Sequence, residues 1–78
     1  MRYGASSKLP PERLIAKAKA YFLKLGMTVV SEDTDSICLE GGGGSVTVTA
    51  CGENQSEVDI TTTEWDNQVK MFIQMISV

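Results

Sequence analysis

Residues 45–63 read SVTVTACGENQSEVDITTT, two runs of alternating apolar and polar side chains separated by a polar segment. Successive side chains of a β-strand point to opposite faces, so each run predicts a strand with one apolar and one hydroxyl-rich face. An antiparallel sheet of this kind packs one face and exposes the other to water, which indicates a two-layer architecture. The exposed face is expected to include Thr47, Thr49, Asp59 and Thr61.

Two further strands are predicted before this segment, at residues 28–32 and 36–40, and the glycines at 41–44 join the second of them to the first alternating run. The two central glycines suit the positive φ angles of a type I′ hairpin turn. Between the alternating runs, matching the apolar faces requires an odd loop, which we expect at residues 53–55 with Asn54 left-handed. The four strands then form an antiparallel meander.

Helices are predicted on both sides of the strands. The first begins at Pro10-Pro11, because proline lacks an N–H and the first-turn N–H groups of a helix have no intrahelical partner in any case. It ends at Gly26, which suits a left-handed C-terminal position. The second begins at Thr63, whose hydroxyl can cap it, with Asp66 three residues later. Apolar residues at helical spacing form a core stripe on each helix: Leu14, Ile15, Ala18, Tyr21, Phe22 and Leu25 on the first, and Trp65, Val69, Phe72, Ile73 and Ile76 on the second.

The predicted fold is therefore an α+β two-layer sandwich of order αββββα, with both helices on one face of a four-stranded antiparallel sheet. Residues 1–8 show no periodicity and are expected to form a flexible tail, and residues 9–78 are expected to form one domain. The sequence contains neither a run of 18 apolar residues nor a secretory signal pattern, so the cytoplasm is the expected compartment and no membrane contact is expected. The strand registers keep Cys38 and Cys51 too far apart for a disulfide, so both are expected to be reduced.

The residue types argue against catalysis. The chain has no histidine, which removes the commonest general base and the commonest metal ligand. Cys38 and Cys51 have neither the spacing of a zinc site nor that of a dithiol redox motif. The acids Glu32, Asp33 and Asp35 lack the spacing of a calcium loop. The sequence predicts a protein that is not an enzyme and that has no metal site and no cofactor.

Charge is divided between the two parts of the chain. Residues 1–26 have a net charge of +5 and residues 27–78 a net charge of −8, for a total of −3. The predicted exposed sheet face carries Glu40, Glu57 and Asp59 but no lysine or arginine, so it would repel a phosphate backbone, and nucleic-acid binding is disfavoured.

Two classes of function remain. The first is a non-enzymatic binding or interaction module, with a protein partner or a second copy as in a homodimer, because several apolar residues fall outside the core stripes. The second is a carrier of an apolar small-molecule ligand, held in a pocket between helices and sheet around Phe22, Trp65 and Phe72. The candidate interaction surfaces are the sheet face with Thr47, Thr49, Asp59 and Thr61, the flank with Met71, Met75 and Val78, and the stripe of Ala16, Ala20 and Leu23.

Four segments together suggest a relationship: residues 9–14, LPPERL; residues 24–30, KLGMTVV; residues 46–49, VTVT; and residues 58–61, VDIT. This pattern, over about residues 9–77, resembles a family of very short archaeal proteins of uncharacterised function. The resemblance implies an αββββα sandwich similar to one half of the TATA-box-binding-protein fold, and it carries no catalytic motif. DNA-binding proteins of that fold use a basic or apolar sheet face, from which this chain departs at Glu40, Glu57 and Asp59.

Overall fold

Residues 2–76 are described by a computed structural model. It contains seven elements, which in chain order are β1 (Arg2–Ser7), α1 (Pro11–Lys24), β2 (Thr28–Glu32), β3 (Ser36–Gly41), β4 (Gly44–Cys51), β5 (Ser56–Thr63) and α2 (Asp66–Ile76). The strands form one antiparallel sheet in the order β1-β5-β4-β3-β2. The α+β class is confirmed, and α1 and α2 pack on the apolar face of the sheet, α1 over β2 to β4 and α2 over β1 and β5.

The fifth strand, β1, corrects the prediction of a tail and a four-stranded sheet. Arg2–Ser7 pair with β5 without interruption. The turn after β1 is fixed to the start of β5, because the Ser56 hydroxyl donates a hydrogen bond to the Leu9 carbonyl (2.7 Å) and the Leu9 N–H donates one to Ser7 Oγ (3.2 Å). Its only side chains that contribute to the apolar face are Tyr3 and Ala5, so this strand is held in the sheet mainly by its pairing with β5, which is distant in sequence.

The hairpin registers agree with the prediction in most respects. Gly42 and Gly43 have φ angles of 57° and 82° between the paired Gly41 and Gly44, as a type I′ turn requires. The β4–β5 register is also as expected. The expectation of a left-handed Asn54 is wrong, because the residue with positive φ is Gly52 at 139°, so the chain turns directly after β4 ends.

The first helix follows the prediction closely, and Gly26 has a φ angle of 95° at its C-terminal side. Leu14, Ala18 and Phe22 are fully buried along its core stripe. Leu25 is 40% exposed and not part of the core, because it is the C-cap residue after the last helical turn.

The second helix begins at Asp66, three residues later than expected. Thr63 does not cap it, because Thr63 still pairs with Ser45 at the end of β5. The chain then turns through Glu64, which has a φ angle of 70°. The predicted core stripe is otherwise present: Val69, Phe72 and Ile76 are buried, and Trp65 and Ile73 pack against the core as partly buried residues.

The glycine turn also anchors the start of α2. The Trp65 indole N–H donates a hydrogen bond to the Gly41 carbonyl oxygen at 2.8 Å. A Cβ atom added at Gly44 would lie 2.1 Å from the Thr63 carbonyl oxygen and 2.8 Å from Trp65 Cδ1. Gly44 is therefore required by close packing, in contrast to Gly43, which is required by its backbone angle.

Within the described part of the chain, neither helix has the length and apolarity needed to cross a membrane.

Candidate interaction surface

The face of the sheet turned away from the helices is the largest surface that the fold leaves uncovered. We call it the outer face and define it from the strand registers, since directly opposite residues share a face. Its members are mostly serine, threonine and cysteine, with three carboxylates, one arginine and one glycine: Arg2, Gly4 and Ser6 on β1; Glu57, Asp59, Thr61 and Thr63 on β5; Ser45, Thr47, Thr49 and Cys51 on β4; Ser36, Cys38 and Glu40 on β3; and Thr28 and Ser31 on β2.

The four sheet residues predicted from the sequence all lie on the outer face. Thr49 and Thr61 are exposed, and Thr47 and Asp59 are half-buried. Thr47 lies directly between Thr61 of β5 and Cys38 of β3, and its hydroxyl donates a hydrogen bond to Cys38 Sγ at 3.4 Å. Every side chain in this part of the face is short, so the surface has no prominent anchor residue.

The outer face contains a basic residue that sequence reasoning missed. Arg2 lies opposite Thr61, and its Nε donates a hydrogen bond to Asp59 Oδ1 at 2.8 Å while a second guanidinium nitrogen contacts the other carboxylate oxygen. The hydrogen bond from Arg2 holds the pKa of the Asp59 carboxyl below its ordinary value. The expectation of a face without lysine or arginine is therefore wrong. The alternation of Arg2, Gly4 and Ser6 with Tyr3 and Ala5 is a signal for a strand, but it spans only five residues, too few to decide between a strand and a tail.

A shallow depression of about 600 Å³ lies at one end of the outer face, along β1, β5 and β4. Ser6, Cys51 and Glu57 contribute to its lining, and the Ser6 hydroxyl lies 3.2 Å from both carboxylate oxygens of Glu57. With Glu40, Glu57 and Asp59 against Arg2, the whole outer face has a formal charge of −2. The surface is polar, open and acidic.

The other predicted surfaces are exposed but separate. Ala16, Ala20 and Leu23 are exposed on α1, as are Met71 and Met75 on α2, whereas Val78 lies outside the described residues.

The two helix surfaces point in different directions. Leu23 follows Lys19 by one helical turn on the flank of α1 that faces β2, where Lys19 Nζ lies 3.0 Å from Glu32 Oε1. The two helices meet on the opposite flank, where the ring centroids of Tyr21 and Phe72 are 5.5 Å apart. The α1 stripe is therefore turned away from α2 and does not join the methionines in one patch.

The space predicted to hold an apolar ligand is filled by side chains. Phe22 and Phe72 are fully buried with ring centroids 5.6 Å apart, and Tyr21 packs against both rings. Trp65 is held at the glycine turn by its hydrogen bond to Gly41. Five of the surface depressions among residues 2–76 are lined by other residues. Phe22 and Phe72 thus lie in the core, Trp65 packs against it, and none of the three lines these five depressions.

The reactive side chains are dispersed. Cys38 and Cys51 are both free thiols, on different strands of the outer face. Over the described range 2–76, no three acidic or cysteine side chains come together in a group that could hold a metal ion. Comparison with protein-family models and with characterised proteins finds no match to this chain.

Proposed function

We propose that this chain is a non-enzymatic protein-interaction module that binds its partner through the outer face. The observation that carries the proposal is the position of both helices on one side of a five-stranded sheet, which leaves the whole opposite face open. An antiparallel sheet with one packed face tolerates water on the other. An open face lined by short side chains can accept a flat surface without rearrangement.

The size of the outer face points to a transient complex. Five strands spaced about 4.8 Å apart, each of five to eight residues rising about 3.3 Å, cover roughly 24 by 20 Å. Side-chain relief makes the accessible surface larger than this footprint of about 500 Å², but the surface stays at or below the roughly 800 Å² per partner of a standard stable interface, as in transient complexes. Its charge of −2 favours a partner with basic or neutral polar groups.

The proposal can be tested with two lysine substitutions on opposite sides of the molecule. Thr49→Lys places a long cationic side chain in the middle of the outer face, and Gln74→Lys makes a comparable change on the exposed surface of α2. Surface substitutions of this kind change the free energy of unfolding by no more than about 0.5 kcal/mol, so both variants are expected to fold.

The wild-type chain and both variants are immobilised and exposed to lysate of the source organism, and bound proteins are quantified by mass spectrometry. The expected result is a protein retained by the wild type and by Gln74→Lys but lost from Thr49→Lys. Equal recovery of every bound protein on all three chains, or a protein lost only from Gln74→Lys, contradicts the use of the outer face.

A further inference from the structure

The two edges of the sheet differ in how they are protected. The edge strand β2 has an irregular register between Val29 and Ser31, and its last residue, Glu32, pairs with Lys19 on the helix side. A bulge and a charged side chain on the inner face both hinder pairing with another strand. The other edge strand, β1, has six consecutive pairs with β5, no register shift and no proline. No strand among residues 2–76 pairs with its free side.

We propose that β1 pairs with β1 of a second copy of this chain to form a homodimer with a continuous ten-stranded sheet. The two strands run antiparallel about a two-fold axis that passes through the sheet at Gly4. This symmetry places both pairs of helices on the same side of the extended sheet. The inference concerns the strand edge and goes beyond the proposed use of the outer face.

The register follows from parity and charge. Directly opposite residues of a continuous sheet share a face, so the two-fold axis must pass through a residue and not between two residues. An axis through Gly4 or through Ala5 leaves five residues of each β1 strand paired. An axis at Ala5 would put Arg2 level with Lys8 of the second copy, and like charges directly opposite are destabilising. An axis at Gly4 puts Arg2 opposite the uncharged Ser6 of the second copy and Tyr3 opposite Ala5.

This register also brings a second carboxylate near Arg2, which already pairs with Asp59 of its own copy. Ser6 pairs with Glu57 of its own copy and donates a hydrogen bond to its carboxylate, and Glu57 takes part in neither of the two ion pairs found within residues 2–76. Arg2 of one copy would lie two strands from Glu57 of the other, about 10 Å between Cα atoms, which two extended side chains can span. Two-fold symmetry forms this contact twice.

The register is tested by a disulfide at the proposed axis. In a background with Cys38→Ser and Cys51→Ser, Gly4→Cys would place two thiols directly opposite each other, with Cα atoms about 4.5–5.5 Å apart, which is within the range of a disulfide. Space is available, because a Cβ at Gly4 meets only the Val58 carbonyl oxygen, at 4.0 Å. The matched control is Ser6→Cys in the same background, whose two copies would be about 13 Å apart along the strands.

After mild oxidation, we expect non-reducing gel electrophoresis to show a covalent dimer of Gly4→Cys and a monomer of Ser6→Cys, with a similar circular dichroism spectrum for both. Equal cross-linking of both variants, or no cross-linking of Gly4→Cys, would overturn the proposed register.

A second experiment leaves the strand itself unchanged. Sedimentation of the wild type from 1 µM to 1 mM is expected to show a reversible dimer, in the weak range because few residues pair. Glu57→Lys should weaken dimerisation about tenfold, since it replaces two attractions by two repulsions. Glu40→Lys changes the charge equally on β3, away from the edge, and should leave dimerisation unchanged. A wild type that stays monomeric at 1 mM, or equal effects of the two variants, refutes the proposal.

Discussion

Two neighbouring residues of β4 provide a direct test of which sheet face is packed. Val48 is fully buried between Ile37 of β3 and Ile60 of β5, whereas the next residue, Thr49, is exposed on the outer face. Val48→Ala and Thr49→Lys therefore perturb opposite sides of the same strand, at positions where the backbone is held by a neighbouring strand on each side.

The expected cost of Val48→Ala can be worked out from its burial. The substitution removes two methyl-sized groups from a fully buried site, at about 0.8 kcal/mol each, or roughly 1.6 kcal/mol in total. Pairing on both sides hinders the backbone from closing the space, so the residual cavity raises the cost to about 2–3 kcal/mol. For a chain of this length, a change of 1 kcal/mol shifts Tm by about 4–8 °C, so Tm should fall by about 8–24 °C. Thr49→Lys should shift it by no more than about 4 °C.

Both variants are measured by urea unfolding and by thermal melting at the lowest usable protein concentration, with Trp65 fluorescence as the signal. Equal destabilisation by the two substitutions would refute the assignment of an open outer face. Repeating the melts at higher protein concentration identifies the cause. If another subunit covers the outer face, the Tm difference between Thr49→Lys and the wild type changes with protein concentration, whereas pairing through β1 raises both Tm values together.

Two further predictions concern the glycine turn and the arginine on β1. Gly44→Ala should destabilise the protein, because its Cβ would lie 2.1 Å from the Thr63 carbonyl oxygen. Gly4→Ala should be neutral or stabilising by up to about 1 kcal/mol, because alanine lowers the conformational entropy of the unfolded chain. Equal urea midpoints for the two variants would contradict this. Arg2→Gln should raise the pKa of Asp59 towards its ordinary value, as followed by NMR titration, and an unchanged Asp59 midpoint would rule out the ion pair as the cause. Because the pKa of Asp59 is lowered in the folded state, the stabilisation that Arg2 gives is present above the ordinary aspartate pKa of about 3.9 and is lost as pH falls through the lowered value.

The parts of the fold that the sequence predicted correctly are those with local signals. The alternation around Val48 and Ile60 and the two central glycines of the turn set the registers of β3, β4 and β5, because side-chain period and turn geometry act within a few residues. The sequence pattern predicts the start of α2 too early, since Thr63 satisfies both the rule for a helix cap and the alternation of a strand. Its pairing with Ser45 decides between them.

The strand β1 could not be predicted from its own residues. Its six residues include a glycine and two serines, and its pairing partner lies 49 to 59 positions later in the chain. For the same reason, only part of the candidate surface can be predicted from the sequence. The threonines of β4 and β5 follow from alternation, but Arg2, Gly4 and Ser6 join the outer face only through this distant pairing.

The same distance has a consequence for the order in which the chain is made. On the ribosome, β1 is synthesised before the other four strands of the sheet, yet the strand that it pairs with is completed 56 residues later, at Thr63. At translation rates of about 5–20 residues per second, β1 waits roughly 3 to 10 s for β5. The earliest of these five strands to be made is therefore the last to find its partner, and during that interval its backbone is open on both sides to chaperones and to other nascent chains.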